Sequence, residues 1–570
     1  MSGIATPFAF EYIPGSWLSG IILAKGASTV KNGNAGITGQ VNADLVKPQT
    51  DKPVYVNMFS SSEGRGELNV NLNQKGKTTS NGLYLHGSFV ENKWDMNNDN
   101  FKDSPDRQQL NGMYRLVYDG PKGCAQINVH ALTDRRQSGQ LSPNAYGERF
   151  TIDQNNDRVE IFGKYGKEEL FGKRFLELGN IIGVSWHRAN ALYGHNTYQA
   201  EQKSLYWQTL VQNIISTTDH KIIVAPSVQY DDIQEFVNEG DLSRRETVAG
   251  VMTEYTYSRP NLEMEIPDLV LVLGARADWN SRFGWQLTPR LSAKYNFTPK
   301  NVLRLSAGRG FRSPNLIAEN ISLLASNREF DIAPNLGAEE AWNYGLNYTH
   351  DFKIAGRDAS FSIDLYRTDF VHQIIVDVEQ APIISNQGQD STFFVAFYQS
   401  PGKSYSNSLL AYFQYNLLAG LDIKFAFKWN DVRAEFADGK LKTQPLVARN
   451  RGLVTLDYHT PKKKWLFNTY VQIVGEQRLP DNSYIPHQYT HDFPPLTPTF
   501  GLWNAQITRR VGKRWEIYGG CENITGYQQH HAIIAPEEPD SPYFNGSQVW
   551  APMMRQIGYL GVRFAPGGME

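Results

Sequence analysis

The sequence predicts an all-β chain closing into a transmembrane antiparallel β-barrel of about 22 strands. Three observations carry this. Hydrophobic and polar residues alternate at period two from residue ~55 to the end of the chain, as pleated strands with one wet and one apolar face require. Short turns alternate with long polar stretches, which is how a barrel with one tight rim and one rim of long loops is punctuated. The composition is rich in aromatics and poor in helix signals: of 570 residues, Tyr 29, Phe 29 and Trp 12 make 12% of the chain, and no run of about 18 apolar residues offers a transmembrane helix.

The strands can be placed in order. In Glu67 to Asn73, Leu68, Val70 and Leu72 oppose Asn69 and Asn71. Leu303 and Leu305 oppose Arg304 and Ser306, and Phe361, Ile363 and Leu365 oppose Ser362 and Asp364. Ile423, Phe425, Phe427 and Trp429 oppose Asp422, Lys424, Lys428 and Asn430. Trp465, Phe467, Val471 and Ile473 oppose Asn468, Tyr470 and Gln472. Thr298–Asn301, Ala355–Asp358 and Val511–Arg514 are the short turns; 92–107, 480–498 and 527–552 are the long polar loops. The roughly 520 residues after the first 50, at about 24 per strand with its share of loop, make about 22 strands, a size whose lumen is plugged.

Charge and cysteine content exclude other classes. Lys+Arg 56 against Asp+Glu 58 gives a net charge of −2, so the chain has no basic field for nucleic acid. Two cysteines, Cys124 and Cys521, cannot build a disulfide scaffold. No G-x-S-x-G, H-E-x-x-H or phosphate-binding glycine loop occurs, and the chain is not read as an enzyme. A soluble carbohydrate-binding β protein with surface aromatics is the competing class; it would purify without detergent.

The motifs resemble the TonB-dependent receptors of Gram-negative outer membranes, particularly the kind common in Bacteroidota. The resemblance is carried by Thr288-Pro-Arg-Leu291, Tyr295-Asn-Phe297 and Leu303-Arg-Leu-Ser-Ala-Gly-Arg-Gly-Phe-Arg-Ser-Pro-Asn315 with Glu319. Leu336, Glu339, Glu340 and Trp342-Asn-Tyr-Gly345 follow, and Trp515 to Ile524 and Tyr559 to Phe564 resemble the last two strands. Ile13 to Trp17, Ile21 to Gly26, Asn32-Gly33 and Ile37 to Asn42 resemble the closing part of the plug domain that such barrels enclose.

The resemblance implies residues 1–50 as the C-terminal part of a plug and 51–570 as the barrel. It also implies a monomer in the cell outer membrane, contacting lipid, binding a small molecule or metal chelate, and engaging the TonB complex in its full-length form. The cargo is expected to be siderophore-iron, a metal or a cobalamin-like compound. Met1 to Tyr12 shows neither a basic nor an apolar signal-peptide region, and only about 50 residues of plug precede the barrel. The chain is therefore expected to be N-terminally truncated, with a passive pore or non-functional receptor fragment as the alternative.

Candidate ligand contacts follow by position. Thr6 to Tyr12 resembles an apical plug loop, offering Phe8, Phe10 and Tyr12, and the late loop adds Tyr543, Phe544 and Trp550. Arg309 and Arg312 are expected to pair with lumen carboxylates such as Glu319 or Glu339. Independently of the family, Asp95, Asn97, Asp99, Phe101 (through its carbonyl), Asp103 and Asp106 have calcium-loop spacing, with Asn100 where Gly is usual. No cofactor is required on this reading, and calcium in that loop is the one candidate ion. His487, His491, His530 and His531, in two late loops, could meet around a transition metal.

Overall fold

The computed structural model describes residues 3–121, 123–143, 147–384 and 391–569. Twenty-two antiparallel strands close into one barrel, from Val54–Ser61 to Ile557–Phe564. Closure is made by these two terminal strands, paired from Val56↔Phe564 to Ser61↔Tyr559. A closed sheet leaves no strand edge unpaired, which is what lets a β structure cross hydrocarbon. No helix among the described residues is long and apolar enough to cross a membrane.

The alternation sorts residues as its period dictates. Asn69 and Asn71 are buried inside the barrel, while Leu68, Leu72, Leu305, Leu365, Phe425, Phe427, Val471 and Ile473 are exposed on its outside. Burial of polar residues beside exposure of apolar ones is inverted relative to a water-soluble sandwich, and fits a wall between lipid and a filled lumen. Near the tight rim, Trp465 and Tyr458 flank Phe467, and the terminal Phe564 packs on Trp515 with ring centroids 4.3 Å apart. Such aromatic girdles suit the interface, where a ring meets both lipid and water.

The turns fall where the sequence places them. Gly284–Thr298 passes to Asn301–Arg312, and Glu339–Ile354 to Arg357–His372, through short connections. The opposite rim carries structure that the sequence pattern does not announce. Glu329–Ile332, Phe394–Gln399 and Ile374–Asp377 form a three-stranded sheet within the loops, with one parallel and one antiparallel pairing.

Candidate functional site

Gly3 to Leu45 lies inside the barrel as two 3-10 turns, Gly3–Phe8 and Gly15–Trp17, followed by a hairpin of Leu18–Lys25 and Gly39–Leu45 whose connection holds a third 3-10 turn, Val30–Asn32. It has few ladder bonds of its own, so the wall must satisfy its backbone. Gln202 accepts from the Ile4 amide at 3.0 Å; Asn111 donates to the Tyr12 carbonyl at 2.8 Å and Asn71 to Ser16 at 3.0 Å. Arg115 donates to the Val46 carbonyl at 2.7 Å. The buried Arg290 guanidinium reaches four acceptors: the Ser28 carbonyl and hydroxyl and the Thr29 and Asn34 carbonyls, at 2.9–3.1 Å. Lys25 ion-pairs with Asp364. Two wall glycines act as sockets, since a Cβ on Gly274 or Gly310 would stand 2.5 Å from Val30 or Ile37.

These contacts fall on strands from Arg65–Lys75 round to Arg357–His372. Lumen-facing Asn111, Arg115, Asn343 and Asp364 are buried there. On the strands from Ser404–Leu418 to Trp465–Val474 the lumen face is different: Lys428 and Arg451 are exposed, and Leu453 and Tyr470 are 37% and 42% exposed. Ile21, Ile22 and Leu23 of the inner hairpin are also exposed.

The outer loops close over the tip of the segment. Ile4 is buried in a cluster with Phe101, Phe150, Phe544, Ile317 and Phe397. Phe544 lies 4.6 Å from Phe150 and 5.9 Å from Phe101 between ring centroids.

The six aromatics singled out as ligand contacts are placed differently from one another. Phe10 is 75% exposed. Phe8 is half-buried under the Arg136 guanidinium, 3.9 Å from its centroid, while Glu11 holds Arg107 and Arg136 at 2.6 and 2.8 Å. Tyr12 is buried against the wall with Ala5 and Leu132, its ring edge-on to His187 at 5.9 Å. Phe544 is in the loop cluster; Tyr543 packs on Phe393 and Tyr489, and Trp550 on Phe500 and Tyr527.

The Asp95–Asp106 loop folds on its own hydrogen bonds. Asp95 accepts from the Asp99 and Asn100 amides, Asp99 from Phe101 and from the Asn97 side chain, and Asp103 from Met96. Asp106 is turned to Lys102. Asn98 and Asn100 adopt positive φ, 61° and 65°, which asparagine tolerates. Burial, with Asp99 and Asp95 nearby, pushes the Asp103 carboxyl up to about 6, and its Oδ1 and that of Asn97 find no partner. In the late loops the His487 and His491 rings are 6.4 Å apart, and His491 and His531 both face Asp492, at 2.8 and 3.5 Å. His530 contributes its carbonyl to Asn97 at 3.0 Å. Among the described residues no group of three or more His, Cys, Asp or Glu is placed to hold a metal ion.

The motif arginines are held by carboxylates. Arg312 pairs with Glu319 through both terminal nitrogens, at 2.7 and 2.8 Å, and with Glu339 at 2.6 Å. Arg309 pairs with Glu340 instead of either expected partner, because Glu340 stands opposite Phe311, one diagonal step away on the next strand. Cys124 and Cys521 are free thiols on separate strands.

A large closed barrel enclosing an N-terminal segment defines a class of outer-membrane receptor. The family model for the TonB dependent receptor-like β-barrel matches residues 50–524, and the chain belongs to the TonB-dependent receptors. This is a family of outer-membrane receptors and transporters. No curated protein matches the sequence. Among solved structures the chain is similar to a mutant ferric enterobactin receptor (PfeA) of Pseudomonas aeruginosa, with TM-score 0.73 and 13% identity over 97% of this chain and 86% of that one. It is similar to the siderophore receptor PirA of Acinetobacter baumannii, with TM-score 0.72, 13% identity and the same coverages. The FrpB iron transporter of Neisseria meningitidis gives TM-score 0.69 and 12% identity over 97% and 89%. At these identities the likeness is one of fold.

Proposed function

We propose that the chain is an outer-membrane uptake receptor for a scarce nutrient delivered as a small chelate, with ferric siderophore as the leading cargo class. A free metal or a cobalamin-like compound comes next. The observation that carries this is the exposed Phe10, presented beside Phe8, Arg136 and Glu11 on a segment lodged inside the barrel beneath the outer loops. An exposed ring beside charged groups suits a flat, polar chelate, which can stack and hydrogen-bond at once. The names of the similar solved structures, a ferric enterobactin receptor, a siderophore receptor and an iron transporter, support the choice of cargo.

On this reading residues 1–50 act as the closing part of a plug and 51–570 as the barrel. Energy comes from the TonB complex, in a form of the chain that carries its contact segment. Phe8 and Phe10 are the first contacts. Tyr12, Tyr543, Phe544 and Trp550 would reach ligand only after the loops or the plug segment move. Calcium in the Asp95–Asp106 loop would require Asp106 to leave Lys102, and would supply the unpartnered oxygens of Asp103 and Asn97 with a cation.

Fluorescence titration of the detergent-purified protein with a ferric tris-catecholate tests this reading. Saturable quenching that Phe10→Ala weakens supports it. Absence of saturable binding to any ferric chelate would sink it.

A further inference from the structure

The lipid-facing side of the wall is hollowed where Thr79–Val90, Asp106–Gly120 and Gly123–Gly139 run side by side. Gly112 stands there opposite Leu85 on one neighbour and Ala131 on the other, and Gly87 stands opposite Leu110. They share the face of the exposed Leu68, Leu85 and Leu110. The backbone does not call for glycine at either place: neither φ is positive, and an added Cβ would meet only a leucine methyl at 3.6 Å. What the small residues leave is a cavity of about 640 Å³, walled by Leu68, Leu110, Val159 and Trp186. In hydrocarbon a lipid chain fills such a groove, because lining atoms with nothing opposite them forfeit their dispersion contacts.

A second cavity, of about 610 Å³, lies one outward-facing step nearer the looped rim, about 7 Å along the strands. Phe89 and Arg135 line it, two residues beyond Gly87 and Thr133 of the first. At the junction Asp157 holds two guanidiniums, Arg135 at 3.0 Å and Arg188 at 2.7 Å, which leaves the trio net positive. Arg188 also lies over Trp186, 5.7 Å from its ring centroid, and the Arg135 Nη1 has no partner. Beyond Arg135 the sign reverses. Asp153 is its diagonal neighbour on the next strand. The Asp153 carboxylate accepts from the neutral Gln137 and Asn155 amides at 3.1 and 2.8 Å, which leave its charge in place. Glu91 is exposed at the edge of the same cavity, and Asp106 is turned to Lys102.

An apolar groove, then paired cations, then carboxylates follow one another towards the looped rim. Chain, phosphate and ammonium follow in the same order in a lipid with a phosphoethanolamine head. Diagonal neighbours across a ladder stand about 7–8 Å apart, a span that a phosphate and its ammonium bridge with the reach of the two side chains. We propose that this face binds one phosphoethanolamine-headed phospholipid. Its chain lies in the groove over Gly112, its phosphate on Arg135 and Arg188, and its ammonium at Asp153 and Glu91. The site is on the outside of the wall and does not rest on the cargo reading.

The test is native mass spectrometry of the detergent-purified protein, titrated with phosphatidylethanolamine, phosphatidylcholine and phosphatidylglycerol of the same acyl composition. Phosphatidylethanolamine should saturate at one copy and bind about tenfold tighter than the other two. A trimethylated ammonium donates no hydrogen bond to Asp153, and a glycerol head brings it no charge. Free phosphoethanolamine, which lacks the chains, should not compete at the same concentration. Arg135→Gln/Arg188→Gln should weaken all three lipids by about tenfold or more. Gly112→Leu, which fills the groove, should weaken all three as well. Asp153→Asn should abolish the preference for phosphatidylethanolamine over phosphatidylcholine and leave phosphatidylcholine binding as it was. Lys353→Gln, at an exposed tight-rim turn, should change nothing. Heat-modifiable gel mobility checks that each variant is folded. Equal binding of the three lipids, unaltered in the folded variants, overturns the site. A preference that survives Asp153→Asn overturns the headgroup assignment, and competition by free phosphoethanolamine overturns the part given to the groove.

Discussion

Replacing Phe544 by alanine should open the outer loops without disturbing the barrel beneath them. Phe544 is 1% exposed, with ring contacts to Phe150 and Phe101 and the tip residue Ile4 in the same cluster. Truncating a buried phenylalanine costs about 3–5 kcal/mol, of which the two ring pairs contribute about 0.5–1.5 kcal/mol each. At about 1.4 kcal/mol per tenfold, the opening equilibrium of the loops should rise by roughly two to three and a half decades. The strands are held by a closed ladder and by lipid, so they do not share the loss. Amide hydrogen exchange reads this directly. The amides of Glu329 and Ala333, bonded to the Phe393 and Phe397 carbonyls at 2.9 Å, should exchange hundreds of times faster. Amides of Glu67–Asn73 should be unchanged. Equal protection in the variant would refute the idea that one cluster closes the mouth, and uniform loss of protection would refute the separation of loops from barrel.

Other perturbations act on the inner segment and the loops. Arg290→Ala removes four charge-assisted donations, each worth roughly 1.5–3 kcal/mol. It should loosen residues 28–34, seen as faster protease cleavage there and larger, noisier conductance. Gly274→Val should do the same through steric conflict with Val30, whereas a silent variant would mean that the socket has slack. Phe10→Ala should leave stability within about 0.5 kcal/mol and lower chelate affinity, read by the same titration. Asp103 has a raised carboxyl, so the stability it contributes is intact below about pH 4 and declines as pH climbs through about 6. Exchange in residues 95–103, corrected for intrinsic rates, should therefore be faster at pH 7.5 than at pH 5; Asp103→Asn should abolish the difference, and millimolar calcium should slow exchange at pH 7.5 if the loop takes that ion.

The barrel was legible because its signals are local. Leu68 and Asn69 declare opposite faces from adjacent positions, and a tight turn such as Ala355–Asp358 marks its own rim, so strand number follows from chain length divided by repeat. What depends on remote partners was not legible. Nothing near Phe544 announces Phe150, and nothing in Glu329–Ile332 announces its parallel pairing with Phe394–Phe397. Arg312 could be matched to Glu319 because the two are seven residues apart, but the partner of Arg309 depends on interstrand register. Gly310 stood within the strongest motif, yet its role as a socket for Ile37 needs the inner segment in place. Tyr12 and Phe10 are two residues apart and equally aromatic; only the folded path of the segment buries one and exposes the other.

The central claim is a closed barrel that holds residues 3–45 inside it. Single cysteines in a chain whose Cys124 and Cys521 are replaced by serine test it through labelling with a membrane-impermeant maleimide. The account predicts rapid labelling at Lys353, beside a tight turn, and protection at Asn111 and Asn343, which hydrogen-bond the inner segment. Comparable labelling at all three positions, or labelling of the latter pair first, would contradict it.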